Sequence, residues 1–272
     1  MRWQEIERSV VGKCVGRDCE DLVVLTGDFA AVIDGATDET GARFDGRSGG
    51  RFAADVLGTA IEAMPGTVDA RRFTDRLTAA LADAVRQAGG PLAGDHRRPM
   101  ASIVCAARSA RQVWRVGDCN VRIDDRQLSG HKRVDDAAYG YRAAVNAALL
   151  AKGTPMAEIL AADPGAEAAR PLFDVQQHLA NAVGPWGYGC IDGRRVPDEF
   201  IEVFGLPAHE CEVVLATDGY PDVRPSLDET EARLAELLAA DPAAIGDLWS
   251  IGKSLRPGAV APDDRAYLRL AV

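Results

Sequence analysis

The order in which strand-like and helix-like stretches follow one another constrains the fold of this 272-residue chain more than any other feature. The strand-like runs come in groups. DLVVLTG and FAAVID are separated by a turn at Gly27-Asp28, which predicts a hairpin. Three further runs across 101–125 predict a meander, two runs across 199–219 predict a second hairpin, and RAYLRLAV ends the chain.

Apolar residues recur at helical spacing between these groups of strands. Ser226 and Glu229 form a capping-box pattern before one such stretch. Asp241-Pro242 is typical of the start of another helix. The predicted helices are 51–64, 71–88, most of 134–183, 227–239, and the segment from Asp241-Pro242 towards Leu255.

Groups of strands separated by groups of helices do not fit the regular alternation that builds a parallel sheet. We therefore expect an α+β fold in which antiparallel sheets carry helices on their outer faces. No linker or shift in composition divides the sequence, so we expect 1–272 to form a single domain. The N-terminus has no apolar signal segment, and no apolar run approaches the roughly 18 residues that span a bilayer, which predicts a cytoplasmic protein with no membrane partner.

The net charge of −10, with no patch of Lys or Arg, argues against a nucleic-acid partner and an anionic membrane surface. The six cysteines contain no C-x-x-C pattern, so we expect free, mostly buried thiols. Lysine occurs only at 13, 132, 152 and 253. We interpret this scarcity as a bias typical of a GC-rich bacterial source, without bearing on function.

Acidic residues mark the ends of the strand-like runs. Those at the end of a run or at a turn are Asp34, Asp118, Asp218 and Asp263, while Glu20 and Asp21 open the first strand. Taken singly, each aspartate is better interpreted as a turn residue, because Asp hydrogen-bonds its own backbone. On adjacent antiparallel strands that end at one edge, however, they would gather into a self-repelling cluster. Divalent ions such as Mg²⁺ or Mn²⁺ would neutralise it, which predicts a metal centre.

In their order along the chain, six motifs resemble those of the metal-dependent protein phosphatases of the PP2C type, also called PPM. They are Cys19-Glu20-Asp21, VIDGATD, ASIVCAARSARQVWRVGDCNVRI, LANAVG, VVLATDGYPDV and PDDRAYLRL. The resemblance covers nearly the whole chain and implies a four-layer α-β-β-α sandwich. It also implies a Mn²⁺- or Mg²⁺-dependent phosphoprotein phosphatase.

The resemblance implies a role for each residue that matches a motif. Asp34 would bridge two metal ions, and the Gly35 carbonyl would bind the second. Asp218 and Asp263 would hold the first ion.

The remaining acidic residues would act around these two ions. Glu20 and Asp21 would bind or orient water on the second ion. Asp118, with Asp218 and Asp222, would form a weaker third site, so that two or three ions are implied. The two ions, about 3.5–4 Å apart, would activate a water that hydrolyses phosphoserine or phosphothreonine directly. The implied partners are a phosphorylated protein and a cognate serine/threonine kinase.

Three of the departures from the family pattern bear on whether the chain is active. Ala36 stands where eukaryotic relatives have a His that is a candidate general acid. Arg17, the candidate phosphate ligand, lies one residue nearer to Glu20 than the usual Arg. The stretch 37–50 is interpreted as an insertion close to the metals. These departures leave open an alternative, a weak or inactive pseudophosphatase that serves as a protein-binding module.

Two Gly-rich motifs suggest other functions. Gly46-Arg47-Ser48-Gly49-Gly50 fits the G-x-S-x-G nucleophile elbow of serine hydrolases, which must follow a buried strand. The polar stretch before it predicts no strand, so we interpret it as a loop that leads into a helix. GPWGYG at 184–189 does not have the dinucleotide-binding spacing and is interpreted as a loop.

Overall fold

Ten strands form two antiparallel five-stranded sheets in the computed structural model, which describes residues 3–16, 18–37, 41–89 and 98–272. The strands are β1 (Gln4–Val11), β2 (Leu22–Leu25), β3 (Phe29–Gly35), β4 (Ala101–Ala107), β5 (Gln112–Val116), β6 (Asn120–Ile123), β7 (Arg126–Leu128), β8 (Glu202–Gly205), β9 (Glu212–Ala216) and β10 (Arg265–Ala271). The first sheet has the order β1-β10-β9-β6-β7, and the second has the order β2-β3-β4-β5-β8.

Six α-helices accompany the sheets in the described part of the chain. They are α1 (Gly49–Glu62), α2 (Ala70–Gln87), α3 (Arg133–Lys152), α4 (Met156–Ala162), α5 (Pro164–Gln176) and α6 (Leu227–Ala240). Side chains at the N-caps of α1, α2 and α6 accept hydrogen bonds from backbone amides of the first turn, which explains where these helices begin. None of these helices has the length and apolar character needed to cross a bilayer.

The layers follow from the alternation of side chains along each strand. In β3, Val32 faces the other sheet and packs in one buried cluster with Leu215 and Leu268. Ile33, its neighbour, faces the opposite way into a cluster with Leu57 of α1. Helices α1 and α2 cover the outer face of the second sheet, and α6 covers the outer face of the first. The predicted α+β sandwich with helices on its outer faces is therefore confirmed.

Two predicted strand groupings are wrong, because consecutive strands divide between the sheets. The runs in 199–219 do not form a hairpin. β8 pairs with β5 in the second sheet, whereas β9 pairs with β6 and β10 in the first. The runs in 101–125 are not one meander, since the chain crosses from the second sheet to the first between β5 and β6. The sequence analysis also missed β1, which pairs with β10.

The predicted helix from Asp241 towards Leu255 is also wrong. The Asp241 carboxylate accepts hydrogen bonds from the backbone amides of Ile245, Gly246 and Leu248, at 2.7–3.0 Å. These bonds hold the chain in a compact loop, which ends in a short 3₁₀ turn at Trp249–Ile251. Asp-Pro favours a loop closed on a carboxylate as readily as the start of a helix.

Candidate metal centre

The strand register brings several of the predicted carboxylates to one end of the sandwich. Asp34, near the end of β3, is opposite Ser102 at the start of β4. In the first sheet, Ala216 at the end of β9 lies opposite Asn120 of β6 and Tyr267 of β10. Asp118 precedes β6, Asp218 follows β9 and Asp263 precedes β10. All three therefore lie beyond the same ends of the strands of the first sheet.

Three of these carboxylates meet at one point. Asp34, Asp118 and Asp218 each offer one oxygen, and these oxygens lie within 4.8 Å of one another. Oxygens on opposite sides of a bound Mg²⁺ or Ca²⁺ ion lie about 4–5 Å apart, and both ions prefer oxygen ligands. The three residues therefore fit one divalent ion, in their chemistry and in their spacing.

Two glycines allow the turns that carry Asp118 and Asp218 to pack closely against neighbouring residues. A Cβ on Gly117, whose φ is +99°, would lie 2.3 Å from the hydroxyl of Ser102. That hydroxyl donates to Asp118 Oδ1 at 2.6 Å. A Cβ on Gly219 would lie 2.0 Å from the carbonyl oxygen of Asp264. Glycine at 117 and 219 therefore allows the turns to approach their neighbours closely enough to form the cluster.

Glu20 and Asp21 are buried beside the cluster, and each is held by a hydroxyl. Ser48 caps α1 and also donates to Glu20 Oε1 at 2.5 Å. Thr217 donates to Asp21 Oδ2 at 2.7 Å. The orientation of both acidic residues is thus set by the start of α1 and by the end of β9.

Lys13 and Lys253 bind Asp263, a finding that the sequence analysis did not foresee. Lys13 Nζ lies 3.1 Å from Asp263 Oδ1, 3.4 Å from Asp264 Oδ2 and 3.5 Å from Glu20 Oε2. Lys253 Nζ binds the other oxygen of Asp263. Each oxygen of Asp263 therefore has an ammonium partner. Asp263 does not fit a second ion in the way that the other three carboxylates fit the first.

A third lysine, Lys132, binds another carboxylate of the cluster, Asp118. Its Nζ is 2.5 Å from Asp118 Oδ2 and 5.5 Å from the ring centre of Tyr188. Three of the four lysines in the sequence thus contact carboxylates of this centre. Most of the 31 basic residues are Arg, so lysine is rare in this chain. The sequence analysis attributed that rarity to the source of the protein and did not connect it with the carboxylates.

The carboxylates differ in their acidity according to whether a lysine reaches them. Burial raises the pKa of Asp34 well above its ordinary value, and the carboxylates of Asp218, Asp21 and Asp118 raise it further. Burial, followed by Asp118 and Asp263, raises the pKa of Asp218 to about 7. These shifts reflect negative charge gathered in one place, which a bound cation would relieve.

The two lysine-bound carboxylates shift in the opposite direction. Burial acts to raise the pKa of Asp118, but the Lys132 ammonium outweighs it and the pKa is lowered. For Asp263, Lys253 and Lys13 outweigh burial in the same way, and its pKa is also lowered. Both carboxylates are thus held in their charged form by the protein's own cations.

The fold is similar to those of several solved phosphatases. The structure matches the crystal structure of the Mycobacterium tuberculosis serine/threonine phosphatase PstP/Ppp with a TM-score of 0.53, at 14% identity, over 100% of this chain and 99% of that one. The chain has the PP2C (PPM) fold.

Other solved structures with a similar fold give lower scores. The PPM Ser-Thr phosphatase MsPP from Mycobacterium smegmatis, in complex with cacodylate, gives a TM-score of 0.47 at 15% identity, over 97% of this chain and 96% of that one. Stp1 from Staphylococcus aureus gives 0.48 at 13% identity, over 98% and 94%. No protein-family model matches the sequence, and no curated protein matches it.

Three further residues that the family resemblance implies, Gly35, Asp222 and Arg17, do not share one location among the described residues. Gly35 lies where Glu20 and the start of α1 approach β3, since a Cβ there would be 2.4 Å from the carbonyl oxygen of Gly50. Asp222 binds Arg224 at 2.7 Å and Arg233 at 3.1 Å, and is not part of the three-carboxylate group. Arg17 lies outside the described residues.

Part of the predicted insertion at 37–50 is described, and it borders the centre at both ends. Lys13 donates to the Thr37 hydroxyl at 2.7 Å, and Ser48 donates to Glu20. Between them, Phe44 is buried against Phe52 of α1, with ring centres 5.5 Å apart. The G-x-S-x-G serine therefore caps a helix and orients an acidic residue. Within the described residues 41–47, no strand leads into it as a nucleophile elbow would require.

Proposed function

We propose that this chain is a divalent-cation-dependent phosphatase that hydrolyses phosphoserine and phosphothreonine in proteins. The observation that carries the proposal is the meeting of the Asp34, Asp118 and Asp218 carboxylates within 4.8 Å, in a PP2C-type fold. The ion would be Mn²⁺ or Mg²⁺, since both prefer carboxylate oxygens. The substrate's phosphate would be placed on it by a serine/threonine kinase.

The residues around the cluster would prepare it for the ion. Asp34, Asp118 and Asp218 would hold the ion, while Ser102 and Lys132 keep Asp118 oriented and charged. When bound, the ion supplies a Lewis acid that neutralises phosphate oxygens and lowers the pKa of water. The hydrolysis transfers the phosphoryl group directly to water, releasing the alcohol and inorganic phosphate, so no protein nucleophile is needed.

A second candidate function is favoured by the two ammonium groups on Asp263. A centre in which one predicted ligand is already neutralised, and in which Ala36 offers no proton, suits a pseudophosphatase that binds proteins without turnover. The following experiment distinguishes this pseudophosphatase from an active phosphatase.

The experiment measures hydrolysis of 4-nitrophenyl phosphate by the purified chain, with Mn²⁺ and then with a chelator. We expect turnover that depends on Mn²⁺ and falls to background in Asp218→Asn. Asp125→Asn serves as the matched control, because Asp125 is a fully exposed aspartate on the β6–β7 turn. Phosphoserine, phosphothreonine and phosphotyrosine peptides then define the specificity, and we expect the first two to be preferred.

Each outcome decides between the candidates. Turnover that persists in Asp218→Asn contradicts the proposed site. Absence of turnover in the wild type, together with stabilisation by Mn²⁺, supports the pseudophosphatase. Absence of both contradicts the metal centre itself.

A further inference from the structure

Two ammonium groups occupy the side of the centre where the family resemblance implies a metal ligand. We propose that Lys13 and Lys253 serve as built-in cations at Asp263, so that this chain holds a single divalent ion between Asp34, Asp118 and Asp218. The inference rests on the metal binding in the proposed function and concerns how many ions are bound. It predicts a mononuclear centre where the resemblance implies two or three ions.

Lys13 contacts acidic residues on two different segments of the chain. Its Nζ lies 3.1 Å from Asp263 and 3.5 Å from Glu20, residues that the resemblance assigns to two different ions. It also donates to the Thr37 hydroxyl at 2.7 Å. One ammonium therefore contacts residues from both of the implied ligand sets. A divalent ion beside it would be repelled by its positive charge.

Lys253 binds Asp263 Oδ2, the oxygen that Lys13 does not contact. To bind a metal ion, Asp263 would have to exchange at least one of these ammonium groups. Asp118 has one lysine partner, at Oδ2, while its Oδ1 accepts from the neutral Ser102 hydroxyl, and one of its oxygens lies within 4.8 Å of oxygens of Asp34 and Asp218. The carboxylates of Asp34 and Asp218 have no ion pair within the described residues. The cations thus divide the centre into a lysine-filled side and a side suited to an ion.

Backbone hydrogen bonds fix the position of Lys13. The Lys13 amide donates to Asp264 Oδ1 at 2.7 Å, and its carbonyl accepts from Val260 at 2.9 Å. Asp264 Oδ2 accepts from the Glu20 amide at 3.0 Å. The backbone of Lys13 is therefore tied to both acidic segments that its side chain neutralises.

The backbone around Lys253 is fixed by helix α3. Gly252 has a φ of +69°, and a Cβ there would lie 2.4 Å from the ring of Tyr139. Ser254 is buried and donates to Asp163 at 3.2 Å, and it accepts from Arg142 at 2.5 Å. Residues on both sides of Lys253 are thus locked in place. Its side chain extends from a rigid support towards Asp263.

The test counts the Mn²⁺ ions bound by the full chain, by equilibrium dialysis with metal analysis and by electron paramagnetic resonance. For the wild type we expect one Mn²⁺ per chain and the hyperfine spectrum of an isolated ion. For Lys13→Met/Lys253→Met we expect a second ion and the exchange-broadened spectrum of a coupled pair. Lys152→Met, at the exposed end of α3, is the matched control and should bind one ion.

Several results would overturn the inference. Two coupled ions in the wild type would refute it and leave the proposed function intact. If the wild type binds no ion, the result would also refute the divalent-cation dependence in the proposed function. A count of one that stays at one in the double variant would show that the lysines do not set the number of ions. Lys253→Met, the single change at the more exposed lysine, is measured alongside and should raise the count or weaken the mononuclear spectrum even if the double variant does not fold.

Discussion

At the scale of single residues, aspartates that look alike in the sequence fall into two electrostatic classes. Asp34 and Asp218 lack an ammonium partner in the described chain, and their pKa values are raised by burial and by neighbouring carboxylates. Asp118 and Asp263 are lysine-bound, and their pKa values are lowered. The presence of an ammonium partner, and not the local motif, decides whether the pKa of each carboxylate is lowered or raised.

The raised pKa of Asp218 predicts how the stability of the metal-free protein depends on pH. Because the pKa is about 7 in the folded state and near its ordinary value of 3.8 when unfolded, the folded state binds more protons between these values. The free energy of unfolding should therefore fall as pH rises from about 4 to 7, by at most about 1.4 kcal/mol per pH unit for this one group. Urea unfolding in chelator at several pH values measures it.

Asp218→Asn provides the comparison for that experiment. The amide does not ionise, so the decline in stability with pH should be shallower than in the wild type. Equal slopes in the two proteins would contradict the assignment of the raised pKa to Asp218.

The sequence predicted the acidic residues of the centre better than their partners. Asp34, Asp118 and Asp218 could be predicted from the sequence because each lies beside the end of an apolar strand, which is a local pattern. Lys13, Lys132 and Lys253 come from three distant loops or loop ends, so no spacing links them to their carboxylates. Only the fold reveals that they converge.

At the scale of secondary-structure elements, one buried arginine joins three parts of the chain. Arg142 lies within α3 and is fully buried. It donates to Asp163, just before α5, at 2.9 and 3.0 Å, and to the carbonyls of Ala243 and Ala244 at 3.0 and 2.9 Å. Burial of a guanidinium is tolerated because its donors find acceptors on all sides.

Removing this arginine should destabilise the protein strongly. Arg142→Met leaves the Asp163 carboxylate buried without its cation, and we expect a loss of about 3–5 kcal/mol in the free energy of unfolding. Arg195→Met is the matched control, since Arg195 is exposed beside Asp198, and it should cost less than about 1 kcal/mol. Urea denaturation measures both. A comparable loss in the two variants would contradict the role given to the buried pair.

The elements that the sequence failed to predict share a physical reason. β1 (QEIERSVV) has no fully buried position, so no apolar alternation marks it, and its pairing with β10 makes it a strand. Asp241-Pro242 resembles a helix start, but its carboxylate binds three amides of a loop. Tertiary contacts, and not local preference, decide both cases.

At the scale of the whole molecule, the proposed metal centre lies where the two sheets meet. Asp34 belongs to the second sheet, Asp218 follows a strand of the first, and Asp118 lies on the crossover between them. A bound ion would therefore join both halves of the sandwich. Binding at such a place should stabilise the fold as a unit, since the unfolded chain does not hold the three carboxylates together.

This arrangement predicts a large effect of Mn²⁺ on thermal stability. At a free concentration one hundred times the Kd, one ion adds about 2.7 kcal/mol to the free energy of unfolding. For a chain of this size that corresponds to a rise in Tm of about 5–10 °C. Differential scanning calorimetry with Mn²⁺ and with chelator measures the shift, and Asp125→Asn should show it in full.

Asp218→Asn should respond differently in the same measurement. It removes one ligand and one of the repelling charges, so its Tm in chelator should be at least that of the wild type, with little response to Mn²⁺. A full response to Mn²⁺ in this variant would place the ion elsewhere.

The concentration of lysines around the carboxylates also has a practical consequence. Lys152, at the exposed end of α3, is the lysine that the native fold leaves free of the centre. Among the lysine side chains, amine-directed reagents should therefore react first at Lys152, which gives a preferred point for attaching a dye, a cross-linker or a solid support. Reagent uptake at Lys13, Lys132 or Lys253 would in turn report that the acidic centre has opened.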